Sequence, residues 1–327
     1  MNEIIFLILG LLGLLISSGY VVNYIIYISY YFKISKFILS LFLLAIASDI
    51  PELVMTLETS FLPVTQLDQN AHIILGNALG SFFTQGSLLL GLSSLWIYPY
   101  TSKRQGLIHG LSLVVSISIF FIMWQDDLII SFQEGVILFL IYFLYAGATI
   151  IFYKGSFIEE EITIDAKNVK RSSFLLLKNF SLLVIAIVVI HVCAKLTLDN
   201  FLVLVSGSSL SHTTLSFFAF GMGTSLPELA ISINAARKGE RSISLGNIVG
   251  SNIFDILVIP GLAAMIHPLT AIGKDVWYYT RICFFLSLLL LVFLFEKKAC
   301  RKSRGLFLSF SLSQHRLQNL LFNLADR

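Results

Sequence analysis

Two short acidic motifs lie inside apolar stretches of this 327-residue chain. The first reads Ser-Asp-Ile-Pro-Glu over residues 48–52, and the second reads Thr-Ser-Leu-Pro-Glu over residues 224–228. Each places a carboxylate, Glu52 or Glu228, where a charge is costly unless it lines an aqueous path. The proline before each glutamate removes a backbone donor and frees a carbonyl oxygen one turn upstream. Because hard cations such as calcium prefer oxygen ligands, the motifs predict a buried cation site.

Each acidic motif is followed by a second motif, so the chain contains an internal repeat. Gly-Asn-Ala-Leu-Gly-Ser occupies residues 76–81, and Gly-Asn-Ile-Val-Gly-Ser occupies residues 246–251. The glycines, four residues apart, favour close helix packing. Polar side chains four residues apart share a helix face, so four pairs of them can converge on one site. The pairs are Ser48 with Glu52, Ser81 with Gln85, Thr224 with Glu228, and Ser251 with Asp255.

The composition indicates that these motifs lie in a lipid bilayer. Hydrophobic residues make up 57% of the chain and charged residues 13%, about half the charged share of a soluble domain. Besides the nine runs given below, a tenth apolar run, 306–323, contains residues that are costly in lipid. The net charge of +3 does not indicate a nucleic-acid partner. A crossing needs roughly 20 apolar residues, and nine runs are long enough: 4–31, 36–59, 72–98, 106–124, 128–153, 176–205, 213–236, 243–267 and 276–296.

Lysine and arginine divide the connecting loops into two sets, which predicts a topology. They concentrate near 33–36, 103–104, 237–241 and 297–304 and in the polar segment 154–175, whereas the other loops carry almost none. Because basic loops favour the cytoplasm, we expect an outside N-terminus and a cytoplasmic linker at 154–175. Five crossings precede this linker. The sequence therefore predicts an all-α polytopic membrane protein of two inverted five-helix repeats, 1–153 and 176–327, in a plasma or inner membrane.

The motifs resemble those of the sodium/calcium exchanger family, within the calcium/cation antiporter superfamily. The stretch from Gly223 to Asp255 resembles that family's second alpha repeat almost without interruption. The resemblance implies ten helices in two inverted repeats, a central ion site and alternating outward and inward access. It implies central calcium ligands at Glu52 and Glu228. It also implies further positions lining calcium and sodium sites, which are Thr224, Ser225, Ser251 and Asp255, with Ser48 and Ser81 as partners from the first half.

The first copy departs from the family pattern at three positions. Asp49 stands where the family usually has a small hydroxyl residue, and Gln85 and Phe82 stand where asparagine is usual. Asp49 would bring a fourth carboxylate to the predicted site. Because crowded carboxylates do not all remain ionised unless their charge is compensated, coupling to protons stays open as an alternative to coupling to sodium.

We expect a secondary antiporter that moves calcium against a sodium gradient, and not an enzyme. Its partners would be inorganic cations and the lipid bilayer; it would need no cofactor, and no particular oligomeric state is predicted. A calcium/proton exchanger, with Asp49 or Asp255 carrying the proton, and a transport-inactive cation-binding membrane protein remain open alternatives. An intramembrane enzyme using Ser211 and His212 is disfavoured, because adjacent side chains point in different directions on a helix. None of the six histidines falls in the motifs, which disfavours softer metals.

Overall fold

The chain forms a helical bundle in the computed structural model, which describes residues 2–62, 67–93, 103–125, 128–153, 172–205, 221–270 and 274–295. Two π-helical turns, Ser40–Leu44 and Gln85–Leu89, continue the second and fifth helices. Two short strands, β1 (Ile129–Ile130) and β2 (Leu269–Thr270), pair antiparallel. The helices are α1 (Asn2–Phe32), α2 (Lys36–Leu39), α3 (Ala45–Ser48), α4 (Ile50–Ser60), α5 (Leu67–Thr84), α6 (Leu90–Ser93), α7 (Lys103–Gln125), α8 (Phe132–Tyr153), α9 (Ser173–Val205), α10 (Gly221–Thr224), α11 (Leu226–Arg237), α12 (Arg241–Ile266) and α13 (Lys274–Phe295).

Several of these helices can cross a bilayer by length and composition. A further crossing forms if Lys36–Ser48 and Ile50–Ser60, bent by 44°, are one span, and α13 contains a shorter apolar stretch, Val276–Val292. Each of the nine predicted runs thus contains a described helix, which confirms the all-α polytopic fold class. The six helical stretches that qualify alone are Glu3–Phe32, Gln69–Ser93, Leu107–Gln125, Phe132–Ile151, Ser173–Asn200 and Arg241–Ile266.

Some of the sequence predictions lie outside the described residues. These are the tenth run at 306–323, the pair Ser211 and His212, the start of the run at 213–236, the ends of the runs at 72–98 and 276–296, the basic loop at 297–304, and the linker up to residue 171. The linker was expected to extend to residue 175, whereas α9 already begins at Ser173. The first three residues of this helix read Ser-Phe-Leu, so its apolar character already begins before residue 176.

The centre of the bundle is formed by α12 and α5. Protein covers 89% of the α12 span and 78% of the Gln69–Ser93 span, but only 17% of Ser173–Asn200 and 28% of Glu3–Phe32. The outer helices α1 and α9 pack along each other, α7 packs along α13, and α8 packs along α12. Gly135 and Gly261 bring α8 and α12 together, because a Cβ on Gly135 would lie 2.7 Å from the carbonyl oxygen of Gly261.

The two ends of α12 contact different sets of loops. Near its start, Lys36 donates to both carboxylate oxygens of Glu240 at 3.1 and 2.9 Å, and its ammonium lies 4.9 Å from the Tyr30 ring centre. At the far end of α12, about 39 Å away for 26 residues, β2 pairs with β1. The chain thus enters α2 at the end of the bundle where it leaves α11. The segments α2–α4 and α10–α11 therefore run in opposite directions.

Candidate cation site

Both acidic motifs form a break between two helices. The break between α3 and α4 lies at Asp49, with φ −80° and ψ 9°, and the break between α10 and α11 lies at Ser225, with φ −77° and ψ 9°. Each following helix has proline in its first turn, where the missing N–H would be unpaired in any case. The two motifs therefore adopt the same backbone geometry.

This break changes one expectation drawn from the spacing. Residues four apart share a face only on a continuous helix, whereas Ser48 and Glu52 lie on either side of the break at Asp49, and Thr224 and Glu228 on either side of the break at Ser225. The hydroxyls that reach Glu52 therefore come from other segments of the chain rather than from the preceding turn of its own helix. Glu52 interacts with the hydroxyls of Ser81, Thr224 and Ser225.

Three carboxylates meet at the two breaks. One oxygen from each of Asp49, Glu52 and Glu228 lies within 4.8 Å of the others, and this is the only such group of acidic, histidine or cysteine side chains found among the described residues. All three side chains are completely buried. Both oxygens of Asp49, both of Glu228, and Oε2 of Glu52 have no hydrogen-bond partner. Bare carboxylates are costly in an apolar interior, so this arrangement fits a bound cation.

The hydroxyl residues of the motifs surround this group. Ser81 Oγ donates to Glu52 Oε1 at 3.4 Å and to the Gly221 carbonyl at 3.2 Å. Ser251 is completely buried, its hydroxyl has no hydrogen-bond partner, and it faces Asp49. Ser225 Oγ donates to the Gly221 carbonyl at 2.8 Å. These contacts leave hydroxyl oxygens available as further hard ligands.

Asp255, the fourth carboxylate of the predicted site, is not one of the three whose oxygens lie within 4.8 Å of one another. Its Oδ2 accepts a hydrogen bond from Gln85 Nε2 at 3.0 Å, while Oδ1 has no hydrogen-bond partner. It is still near enough to interact electrostatically with Asp49 and Glu52. Gln85 starts the π-helical turn Gln85–Leu89, so the side chain that holds Asp255 is placed by an irregularity in the helix.

Two asparagines of the repeated motifs were not among the predicted ligands, yet they connect the two halves. Ser48 Oγ contacts Asn247 Oδ1 at 3.4 Å, and Thr224 Oγ1 donates to Asn77 Oδ1 at 3.2 Å. Asn247 Nδ2 also donates to Ser232 Oγ at 3.1 Å. The two asparagines hold the same place in their motifs, and this repetition was the signal that could have identified them.

His191, on α9, also contacts a break and was not predicted to do so. Its Nε2 lies 3.3 Å from the Ser48 carbonyl oxygen, and its Nδ1 lies 2.7 Å from that of Ile187. The available signal was an ionisable side chain in the stretch 182–194, whose other residues are apolar. Because the imidazole meets backbone carbonyls rather than the carboxylates, the group of three remains an all-oxygen site.

Glycines allow the helices that carry the site to touch. A Cβ on Gly250 would overlap the Leu41 carbonyl oxygen and lie 2.8 Å from Ala45 Cβ. A Cβ on Gly221 would lie 2.6 Å from Gly80 Cα. Gly80 and Gly250 occupy the same place in the two copies of the Gly-Asn motif, 76–81 and 246–251. Likewise, Ala45 and Gly221 lie the same number of residues before the breaks at Asp49 and Ser225. The same close approach therefore occurs twice, with the halves exchanged.

Comparison with known proteins places the chain in a family. The family model for the sodium/calcium exchanger protein matches residues 2–151 and 178–313. Inner membrane protein YrbG of Escherichia coli (strain K12) is 30% identical over 269 residues, which cover 80% of this chain and 79% of that protein. Sodium/calcium exchanger MaX1 of Methanosarcina acetivorans is 26% identical over 324 residues, which cover 88% of this chain and 90% of that protein.

The fold matches that of a solved exchanger. A structure of the sodium-calcium exchanger NCX_Mj, soaked with 10 mM Na⁺ and zero Ca²⁺, aligns with a TM-score of 0.73 at 24% identity. The alignment covers 95% of this chain and 98% of that chain. The resemblance first drawn from the motifs is thus confirmed at the level of the whole chain. The protein is a membrane-embedded cation antiporter, a transporter rather than an enzyme, and it belongs to the sodium/calcium exchanger family.

Proposed function

We propose that the protein exchanges calcium for sodium by alternating access at the site formed by the two helix breaks. The observation that supports this most strongly is the group Asp49, Glu52 and Glu228, in which five buried carboxylate oxygens have no hydrogen-bond partner. Calcium binds six to eight oxygens at about 2.3–2.6 Å, and carboxylates and hydroxyls supply them. The name of the relative MaX1, a sodium/calcium exchanger, agrees with this ion pair.

The proposed mechanism is competition between cations for overlapping oxygen ligands. Each carboxylate left ionised and uncompensated in an apolar interior raises the free energy of the site. Calcium or sodium neutralises that charge, so a loaded site can change its side of access while an empty one resists the change. In this proposal Ser48, Ser81, Thr224, Ser225 and Ser251 contribute oxygens around the carboxylates.

We propose the repeats and topology together with this mechanism. The halves 1–153 and 176–327 would be inverted repeats, with an outside N-terminus and the linker 154–175 in the cytoplasm of a plasma or inner-membrane protein. The opposite directions of α2–α4 and α10–α11 support the inversion. The Lys36–Glu240 contact also supports the topology, because it joins two loops from the set rich in basic residues.

Calcium/proton exchange is the second candidate function, and one observation favours it. Asp49 occupies the break position that Ser225 occupies in the second half, with the same backbone geometry. A carboxylate can carry a proton through the transport cycle, whereas a hydroxyl cannot. Gradient-driven uptake distinguishes the two candidates.

The experiment is calcium uptake into proteoliposomes, with sodium and pH gradients imposed separately. We expect uptake driven by a sodium gradient, abolished in Glu52→Gln and Glu228→Gln variants. Glu58→Gln is the matched control, since it makes the same change on the same helix α4 at an exposed position. Uptake driven only by a pH gradient would favour the second candidate. Calcium binding without any uptake would indicate a transport-inactive protein, and wild-type flux in Glu52→Gln would refute the site.

A further inference from the structure

We infer that Asp49, rather than Asp255, is the third anionic ligand of the cation site, and that it sets the site's preference for divalent over monovalent cations. This inference rests on the proposed function, because it concerns the same site. The two breaks have similar backbone angles but differ in charge, because the first has Asp49 where the second has Ser225. The inference assigns a role to this difference.

The geometry of the first break directs Asp49 into the site. Its backbone angles match those of Ser225 within a few degrees, so this position suits a short polar side chain in both halves. Asp49 is completely buried, faces Glu228 and Ser251, and has two oxygens without a hydrogen-bond partner. Ser251 Oγ also lacks a partner. Unpaired buried oxygens on both sides of one space form the arrangement that a transported cation would satisfy when bound.

Asp255 is held differently. Gln85 Nε2 donates to its Oδ2 at 3.0 Å, which satisfies one of its two oxygens with a protein donor. Its oxygens also lie outside the 4.8 Å group formed by the other three carboxylates. Asp255 therefore acts on the site through its charge and through Gln85, whereas Asp49 is positioned for direct contact.

A third carboxylate at contact distance has a consequence that depends on the charge of the ion. The Coulomb energy between a carboxylate and a cation scales with the cation's charge. Removing the Asp49 carboxylate therefore weakens divalent binding by about the square of the factor by which it weakens monovalent binding. If sodium affinity falls about tenfold, calcium affinity falls about a hundredfold, since each tenfold is a fixed increment of free energy.

The test compares dissociation constants for calcium and sodium in purified protein. Calcium is measured by equilibrium binding of the radioactive ion, and sodium by its competition with calcium. Asp49→Ser places the residue of the equivalent break in the first half, so its backbone is already compatible. Asp49→Asn provides a second variant of nearly equal volume, and a thermal melt of each variant reports whether it is folded. Glu58→Gln, exposed on α4, is the matched control for loss of one carboxylate.

In both Asp49 variants, we expect the fold-loss of calcium affinity to be about the square of the fold-loss of sodium affinity. We expect Asp255→Asn, which can still accept from Gln85, to lose less affinity than either Asp49 variant for both ions, because the attraction between a carboxylate and a cation falls with their separation. Equal losses for the two ions in folded Asp49 variants, or a calcium loss in Asp255→Asn as large as in Asp49→Ser, would overturn the inference. Failure of the proposed function is recognised separately, because wild-type protein would then show no gradient-driven calcium uptake.

Discussion

The substitution Gly250→Ala tests whether close helix packing positions the cation site. The added Cβ would overlap the Leu41 carbonyl oxygen and lie 2.8 Å from both Leu41 C and Ala45 Cβ. Carbon atoms in contact are normally about 3.5–4.0 Å apart, so α12 must move away from the π-helical turn Ser40–Leu44 by roughly 1 Å. The obstacles are backbone and a Cβ, neither of which can rotate aside.

The expected size of the effect follows from two opposing contributions. Overpacking of a filled interior destabilises by about 1–3 kcal/mol. Alanine in place of glycine inside a helix stabilises by up to about 1 kcal/mol. We therefore expect a net loss of about 1–2 kcal/mol in the free energy of unfolding. Because Ser251 follows Gly250 directly, transport should fall about tenfold to a hundredfold, the order of effect that a displacement of roughly 1 Å has on positioned groups.

The assay combines thermal unfolding in detergent with calcium uptake in proteoliposomes. Gly147→Ala is the matched control, because a Cβ on Gly147 of α8 meets nothing within 4 Å. Gly221→Ala should behave like Gly250→Ala, since its Cβ would lie 2.6 Å from Gly80 Cα. Wild-type melting and uptake in Gly250→Ala, indistinguishable from Gly147→Ala, would refute the claim that this close approach positions the site.

Three further predictions concern the connections around the site. Asn77→Leu removes a buried acceptor of the Thr224 hydroxyl and should lower the unfolding free energy by about 1 kcal/mol. A thermal melt measures this change, and an unchanged melt would contradict the prediction. A double-mutant cycle of Lys36→Gln and Glu240→Gln should show a coupling energy of up to about 1 kcal/mol. The coupling should weaken with added salt, because the ion pair is partly exposed. A coupling energy that does not change with salt would contradict this prediction. Lowering the pH should raise the calcium concentration that gives half-maximal uptake, because a protonated carboxyl loses the charge that attracts the cation. This concentration is measured across a pH series. A value that does not change with pH would argue against carboxylate ligands.

The sequence predicted the membrane setting and the two motifs because both depend on local information. Runs of roughly 20 apolar residues identify crossings without reference to any partner, and a motif repeated in order needs no structure to be seen. The position of the helix break was less accessible. Proline suits the first turn of a helix as well as it disrupts an interior, and the break lies at Asp49, before Pro51. For this reason Ser48 and Glu52 were assigned to one helix face, although the chain bends between them.

The pairing of the acidic side chains could not be predicted, because it depends on contacts between residues far apart in the chain. Gln85 and Asp255 are separated by 170 positions, yet they form a hydrogen bond of 3.0 Å. Nothing in the local sequence of Asp255 indicates that a glutamine would occupy one of its oxygens. The contact of His191 with the Ser48 carbonyl is of the same kind.

The two halves share a backbone framework and differ in the charges placed on it. The breaks have the same dihedral angles, the hydroxyl–asparagine contacts cross between halves, and the close approaches at Gly250 and Gly221 recur. Against this framework, the first half has an acid at the break where the second has Ser225, and an amide where the second has Asp255. Each half thus carries one acid in addition to its glutamate, but at a different position, Asp49 at the first break and Asp255 on the helix that follows the second break. Because the backbone framework is the same, exchanging these side chains between the halves should change which ions bind while leaving the fold intact. We therefore expect the ion selectivity of this antiporter to depend on this difference between its halves.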